Sequence, residues 1–271
     1  MRRFSFHKGH GTQNDFIILD DSYGMHDMHP EFIKVVCDRR AGIGADGVIR
    51  VVRASSVREW EGEPNVWFMD YYNADGTTAE MCGNGLRVFA RHLINEQLVD
   101  TGSFDVATRA GLKHVDVAMH GQIRTDVGAV TIADEDVEIS ADGGSWPAVK
   151  VDVGNPHAVV FVDDGALEAL SLHQQPVWSP AQAYPHGVNV EFVEIDGPGR
   201  LSMRVHERGV GETMSCGTGV VAAAAAYRAR SGHEGTIEVM VPGGELSVDF
   251  EGDQARLTGP AVIIGRGEYW L

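Results

Sequence analysis

Positive charge is scarce in this chain of 271 residues: 22 Lys and Arg face 39 Asp and Glu, a formal net charge of -17. A field of that sign repels phosphate backbones and anionic lipid, so neither nucleic acid nor a membrane surface is expected as a partner. The only lysines are Lys8, Lys34, Lys113 and Lys150, and none lies in a recognisable Schiff-base context, so no cofactor of that kind is expected. Cysteine is sparse as well. Cys37, Cys82 and Cys216 are an odd number, far apart and without a Cys-x-x-Cys pair, which argues against a disulfide framework and a zinc knuckle. Asp70, Asp75 and Glu80 gather as acids without metal-site spacing, and no metal is expected. Long apolar runs are missing too: the longest, Val220 to Tyr227, is far short of the roughly 20 residues that span a bilayer. The early stretch Phe4 to Gly9 lacks the apolar segment of a signal peptide, so a cytoplasmic location is expected.

Glycine, by contrast, is abundant. Its 33 occurrences are nearly twice the usual share of about 7%, which implies many tight turns or backbone close to a ligand. Most of the chain reads as short strands, among them 16–19, 48–52, 66–69 and 158–162, with period-two alternation over 188–193 and 201–205. Helices are few: 30–39, with Phe32, Ile33, Val36 and Cys37 on one face, and one after each of the other two cysteines. These last two look like copies of one design. Cys82-Gly83-Asn84-Gly85 opens a segment with Leu86, Phe89, Ala90, Leu93 and Ile94 at helical spacing, and Cys216-Gly217-Thr218-Gly219 opens one apolar on nearly every side to Tyr227. A helix apolar all round must be enclosed by protein, and a curled sheet is the natural enclosure here. Asn73 lies nine residues before Cys82 and Glu207 nine before Cys216, while Asn14 and Asn155 each precede an apolar strand. The expected organisation is α+β with two pseudo-symmetric β-barrel-like domains, each enclosing a central helix: 1–127, completed by 263–271, and 128–262.

Each thiol precedes a Gly-x-Gly entry into a helix. The first N–H groups of a helix lack internal partners and carry partial positive charge, so a cysteine there is expected to have its thiolate stabilised. The same N–H groups cradle a carboxylate, and glycine lets the backbone approach it closely. Two such thiols on opposite faces of one carbon can remove a proton from one side and return one to the other, inverting the centre. The α-hydrogen of an amino acid is barely acidic, so the intervening carbanion must be held by N–H groups directed at its carboxylate.

At these motifs the sequence resembles the diaminopimelate epimerases, amino-acid epimerases that work without pyridoxal. The likeness runs through His10-Gly11-Thr12-Gln13-Asn14-Asp15-Phe16, Gly42 to Gly47, Asn73 to Gly76, both cysteine motifs, Gly154-Asn155-Pro156-His157, Gly187-Val188-Asn189 and Glu207 to Thr213. The resemblance implies interconversion of LL- and meso-2,6-diaminopimelate in lysine and peptidoglycan-precursor synthesis, no cofactor, and a homodimer. It implies Cys82 and Cys216 as the acid/base pair, and Asn14, Asn73, Asn155, Asn189, Glu207 and Arg208 as substrate-binding residues. Backbone at Gly83-Asn84 and Gly217-Thr218 would hold the reacting carboxylate, with His157 and Glu207 tuning the thiols. One departure stands out: Gly47 occupies a position where many family members carry Gln, so a side-chain contact is absent or replaced there.

Other readings use the same residues. A thiol–disulfide protein could pair Cys82 with Cys216. A cysteine hydrolase would need one thiol and a histidine base, leaving the duplication unexplained. A non-catalytic amino-acid-binding protein would gain nothing from two such thiols. Proline racemases and hydroxyproline epimerases resemble the two-thiol plan but serve a smaller substrate, whereas Glu207, Arg208 and the asparagines suit one with a polar distal end. Cys37, within an amphipathic pattern, reads as a small buried hydrophobe.

Overall fold

The computed structural model describes residues 3–100, 102–117 and 121–270. By its contacts the chain divides into two compact units, one of Met1–Thr125 with Gly259–Leu271 and the other of Asp126–Thr258. Strands dominate both units, and helices are few.

In the first unit the strands are β1 (Arg3–Gly11), β2 (Asn14–Asp20), β3 (Gly47–Arg53), β4 (Trp67–Asn73), β5 (Ser103–Thr108), β6 (Gly111–Val117), the beginning of β7 (Ile123–Ala129), and β18 (Val262–Trp270). They pair in the order β18-β1-β2-β3-β4-β5-β6-β7, with β2–β3 and β4–β5 parallel and the rest antiparallel. Helix α2 (Gly83–Asn95) packs against this sheet. Leu86, Phe89 and Leu93 join Phe16, Ile18, Ile49, Met69, Val106, Val115 and Ile123 in one buried cluster. Apolar side chains from β2 to β7 thus reach a single helix, which is how a sheet that twists strongly buries one of its faces. The other face of β1 to β3 is covered by α1 (Pro30–Cys37), whose Ile33, Val36 and Cys37 meet Ile17, Leu19 and Val48. Pro30 occupies the first turn of α1, where its missing N–H costs nothing.

Helix α2 is buried well beyond its apolar positions. Every residue from Gly83 to Ala90 is buried, including Asn84 and Arg87, and so is His92. Polar positions survive there because each finds a partner. The Arg87 guanidinium donates to Asn84 Oδ1 at 2.8 Å and to the Gly83 carbonyl at 3.3 Å, and His92 Nε2 lies 2.7 Å from Asp20 Oδ1.

In the second unit, β8 (Thr131–Ala141), β9 (Gly144–Asp152), β10 (Pro156–Phe161), β12 (Asn189–Gly197) and β13 (Arg200–Glu207) pair in that order. The short β11 (Val177–Ser179) adds to β8. At the other end β13 meets β14 (Gly211–Thr213) and β15 (Ile237–Val241), and β16 (Gly244–Glu251) and β17 (Gln254–Gly259) continue from β15. Helix α4 (Gly217–Ser231) touches β9, β10, β12, β13, β15 and β16. Its Val220 to Tyr227 are all buried, as a helix apolar on every side requires. Five consecutive alanines, 222–226, let six strands approach it closely. On the opposite face of the sheet, Val160, Val190 and Phe192 pack with Leu167 of α3 (Ala166–Ala169), Leu170 and Tyr184. Both faces of β10 and β12 are therefore buried.

Candidate functional site

In the first unit Cys82 is the N-cap of α2. Its backbone is extended, φ -136°, ψ 116°, and its sulfur accepts from the Gly85 N–H at 3.4 Å. Asn14 enters β2 from a tight turn at Thr12 and Gln13, both left-handed with φ 49° and 64°. Non-glycine residues adopt that conformation only where surroundings enforce it. Here the turn aims Asn14 at the thiol: its Oδ1 lies 3.8 Å from Cys82 Sγ and accepts from Asn84 Nδ2 at 3.2 Å. Its Nδ2 is committed to Asp46 at 2.8 Å. The structure thus brings Cys82, Gly83, Asn84 and Asn14 together. Asn73 sits at the end of β4, opposite Gly47 in the strand register, and its Nδ2 donates to Thr77 Oγ1 at 3.1 Å. A Cβ at Gly47 would lie 2.5 Å from the Tyr72 carbonyl, so no larger residue fits the backbone as it stands.

Arg87 lies one turn into the same helix, wholly buried. Burial holds its guanidinium down to about 10, against the pull of the Cys82 sulfur, which favours the cation. Arg87 lies outside the apolar positions 86, 89, 90, 93 and 94, and nothing in the sequence marks it as an interior cation.

In the second unit Cys216 is likewise an extended N-cap, φ -117°, ψ 112°, at the start of α4. Here the expected thiolate stabilisation is not what the surroundings produce. Burial pushes the Cys216 thiol well up, and the Glu207 and Glu191 carboxylates push it further, while the Thr218 hydroxyl and Gly219 N–H pull the other way. Helix-end donors are outweighed where a sulfur is desolvated beside two acids. Thr218 Oγ1 is 3.5 Å from Cys216 Sγ and receives Asn155 Nδ2 at 3.5 Å. His157 is buried, with Nε2 3.1 Å from Asn155 Oδ1 and Nδ1 2.7 Å from Glu191 Oε1. Asn189 Oδ1 accepts the Arg208 N–H at 2.9 Å, and its Nδ2 donates to the Pro156 carbonyl at 3.3 Å. Glu207 accepts from the Thr213 hydroxyl. Cys216, Gly217, Thr218, Asn155 and His157 form one connected group, and Asn189 links Arg208 to the strand beside it.

Glu191 is the residue the sequence did not expose. In Val188 to Val193 the alternation placed Asn189 and Glu191 on a polar face, the normal mark of solvent. Instead that face looks at α4, and Glu191 is fully buried. Its only outward signal is Gly219, where a Cβ would lie 2.6 Å from Glu191 Oε1.

The remaining candidates separate cleanly. Cys37 is packed under α1, and burial raises its thiol to about 12, the condition of an inert side chain. Asp70 is buried between Arg50 and Arg109, at 2.6 and 2.5 Å, while Asp75 Oδ1 accepts from the Thr77 backbone at 2.9 Å. Among the described residues, His7, Asp20 and His92 approach cation-binding spacing. Two tetrahedral ligands about 2.0–2.1 Å from one zinc lie ~3.4 Å apart. Asp20 and His92 at 2.7 Å have instead the spacing of a direct hydrogen bond. No helix among the described residues is long and apolar enough to cross a membrane.

The fold is shared with known proteins. A phenazine biosynthesis protein of the PhzF family from Bacillus anthracis superposes with TM-score 0.72 at 16% identity over the whole of both chains. A hydroxyproline epimerase from Agrobacterium vitis gives 0.68 at 15%, over 98% of this chain and 92% of that one. At those identities the likeness defines the fold class: α+β, with few helices packed on strand-rich units.

Sequence then narrows the class. The family profile described as diaminopimelate epimerase matches residues 6–133 and 149–266. The diaminopimelate epimerase of Streptomyces coelicolor is 47% identical over 99% of this chain and 97% of its own length, and that of Corynebacterium glutamicum 48% over 97% of each. The chain belongs to the diaminopimelate epimerase family and is an isomerase.

Proposed function

We propose that the protein interconverts LL- and meso-2,6-diaminopimelate without a cofactor, with Cys82 and Cys216 as alternating base and acid. The observation that carries this reading is the duplicated thiol: in each unit a cysteine caps an enclosed helix, with amide side chains grouped beside it. The substrate's α-carboxylate would rest on the N–H groups at Gly83-Asn84 and Gly217-Thr218, which favour the negative charge that develops on it. Asn14, Asn73, Asn155, Asn189, Glu207 and Arg208 would bind the polar groups of the diamino diacid, Arg208 pairing with a carboxylate.

The protonation states follow from the charges beside each sulfur. A buried guanidinium accompanies Cys82, and two carboxylates accompany Cys216. We assign the resting thiolate to Cys82 and the resting thiol to Cys216. In one direction Cys82 takes the α-proton and Cys216 delivers its own to the opposite face of the planar carbanion. The reverse reaction starts from the opposite protonation pattern. Lysine and peptidoglycan-precursor synthesis, a cytoplasmic location and a homodimer complete the proposal.

Incubation with LL-diaminopimelate in deuterium oxide, with nothing else added, tests it. Meso product carrying deuterium at one α-carbon is expected, and Cys82→Ala or Cys216→Ala abolishes its formation. Full activity in either variant rules out the two-thiol scheme.

A further inference from the structure

Glu191 and His157 are each fully buried, with Oε1 and Nδ1 2.7 Å apart, and Glu191 Oε2 finds no hydrogen-bond partner among the described residues. A lone carboxylate in that position would be very costly, so Glu191 depends on the proton held between it and His157 Nδ1. Hydrogen bonding from the pair to the thiol is one-way. An amide oxygen only accepts, so His157 Nε2, 3.1 Å from Asn155 Oδ1, must carry a proton. Asn155 then presents Nδ2 to Thr218 Oγ1, and an amide nitrogen only donates. The Thr218 hydroxyl, its oxygen engaged, has its hydrogen free for Cys216 Sγ at 3.5 Å.

We propose that Glu191 is a positioning residue for Cys216, fixing through His157 the direction of the chain Glu191–His157–Asn155–Thr218–Cys216 so that it ends in a donor at the sulfur. This rests on reading Cys216 as an acid/base thiol. The direction holds wherever the shared proton sits. On His157, both ring nitrogens are protonated; on Glu191, its O–H donates to Nδ1 and leaves the hydrogen on Nε2. While Cys216 is a thiol, its S–H donates to Thr218 Oγ1; once the proton has gone to substrate, the hydroxyl turns and donates to the thiolate. Removing the carboxylate releases the constraint. A neutral His157 can then protonate Nδ1, Asn155 can reverse its amide, and Thr218 can spend its hydrogen on Asn155 Oδ1 rather than on sulfur.

The charged neighbours do not supply this effect by themselves. Glu207 on β13 and Glu191 on β12 both disfavour a Cys216 thiolate, and the first turn of α4 carries no acid. Behind the pair, the Tyr184 hydroxyl donates to the His157 carbonyl at 3.1 Å. That phenol is pushed up by burial first, then by Glu191 and Glu135. Lys150 lies 5.4 Å over the Tyr184 ring and is tied to Glu135. A lost charge and a lost donor therefore predict opposite signs. Simple deletion of a nearby negative charge makes Cys216 easier to ionise, whereas loss of the directed chain makes it harder.

The test is iodoacetamide modification of the full-length protein between pH 7 and 10, followed by peptide mass spectrometry at each cysteine. In the wild type Cys82 reacts ahead of Cys216. In Glu191→Gln, Cys216 is modified about tenfold more slowly at a given pH, its midpoint moving up by about one pH unit, while the Cys82 rate stays as an internal control of folding. Thr218→Val slows Cys216 similarly, and adding it to Glu191→Gln slows it no further, because both cut one chain. Asn155→Ala severs the chain while leaving the buried pair intact, and must also slow Cys216 even if Glu191→Gln does not fold. An unchanged or faster Cys216 in the variants that fold overturns the proposal. Because alkylation needs no substrate, failure of diaminopimelate turnover would defeat the proposed function without touching this result.

Discussion

Asp15 shows how much a single carboxyl can organise. Lys8 Nζ lies 2.6 Å from its Oδ2 and Arg39 Nη2 2.7 Å from its Oδ1, and Arg39 also reaches Asp46 at 2.6 Å. Burial alone would raise the Asp15 carboxyl, but hydrogen bonds from Arg39 and Lys8 more than offset it and hold it at about 2. A depressed carboxyl stabilises the fold above its unfolded value near 3.8, and that contribution is lost as pH falls through about 2. Asp15→Asn should cost on the order of 1–2 kcal/mol at pH 6 and lose less stability than the wild type between pH 5 and 2, read from urea melts. Asp46 is also the partner of Asn14, so the same cluster sets the side chain facing Cys82. At this scale the sequence was legible where backbone made a demand, as in the glycines around each thiol. Glu191 and Arg87 were hidden because alternation records polarity, and polarity usually means water. Only the partners across the sheet or one turn away reveal that these two face inward.

The two thiol-bearing helices differ at one matched glycine. A Cβ at Gly85 would meet Cys82 Cβ at 3.4 Å and Ile49 Cδ1 at 3.5 Å, ordinary contact distances. At Gly219 it would lie 2.6 Å from Glu191 Oε1, a side-chain end that cannot swing aside without breaking from buried His157. Gly85→Ala should leave stability within about 1 kcal/mol of wild type, since alanine favours helix as the added methyl crowds. Gly219→Ala should cost about 1–3 kcal/mol by thermal melts and deplete Cys216-dependent exchange of substrate deuterium. Enclosure of α4 could be read directly from its unbroken apolar run. That of α2 rested on the repeated cysteine motif alone, because Arg87 and His92 interrupt its pattern; Arg87 is satisfied by Gly83 and Asn84 one turn back and by Pro260 O at 3.5 Å from its Nε, and His92 by distant Asp20.

The first unit is discontinuous in sequence: its sheet is continued by β18, which pairs with β1 from Arg3↔Trp270 to His10↔Val262. The second unit is a continuous stretch with its own buried helix and strands. Truncation before Val262 should therefore expose β1 and α2 to hydrogen exchange while amides of β10, β12 and α4 keep their protection. Loss of protection throughout both units would show that they do not hold structure independently. Period-two patterning located β12 and β13 and apolar runs located β3, but neither could assign the parallel pairs β2–β3 and β10–β12, whose partners are joined by long crossovers.

That order of strands has a consequence during synthesis. On the ribosome, β1 leaves the exit tunnel ahead of β2 to β17 yet waits for β18, which follows all of them in the chain. The second unit can complete its sheet first. Until then one edge of β1 stays open to stray strands, and a cell making this enzyme must shield that edge or finish translation quickly.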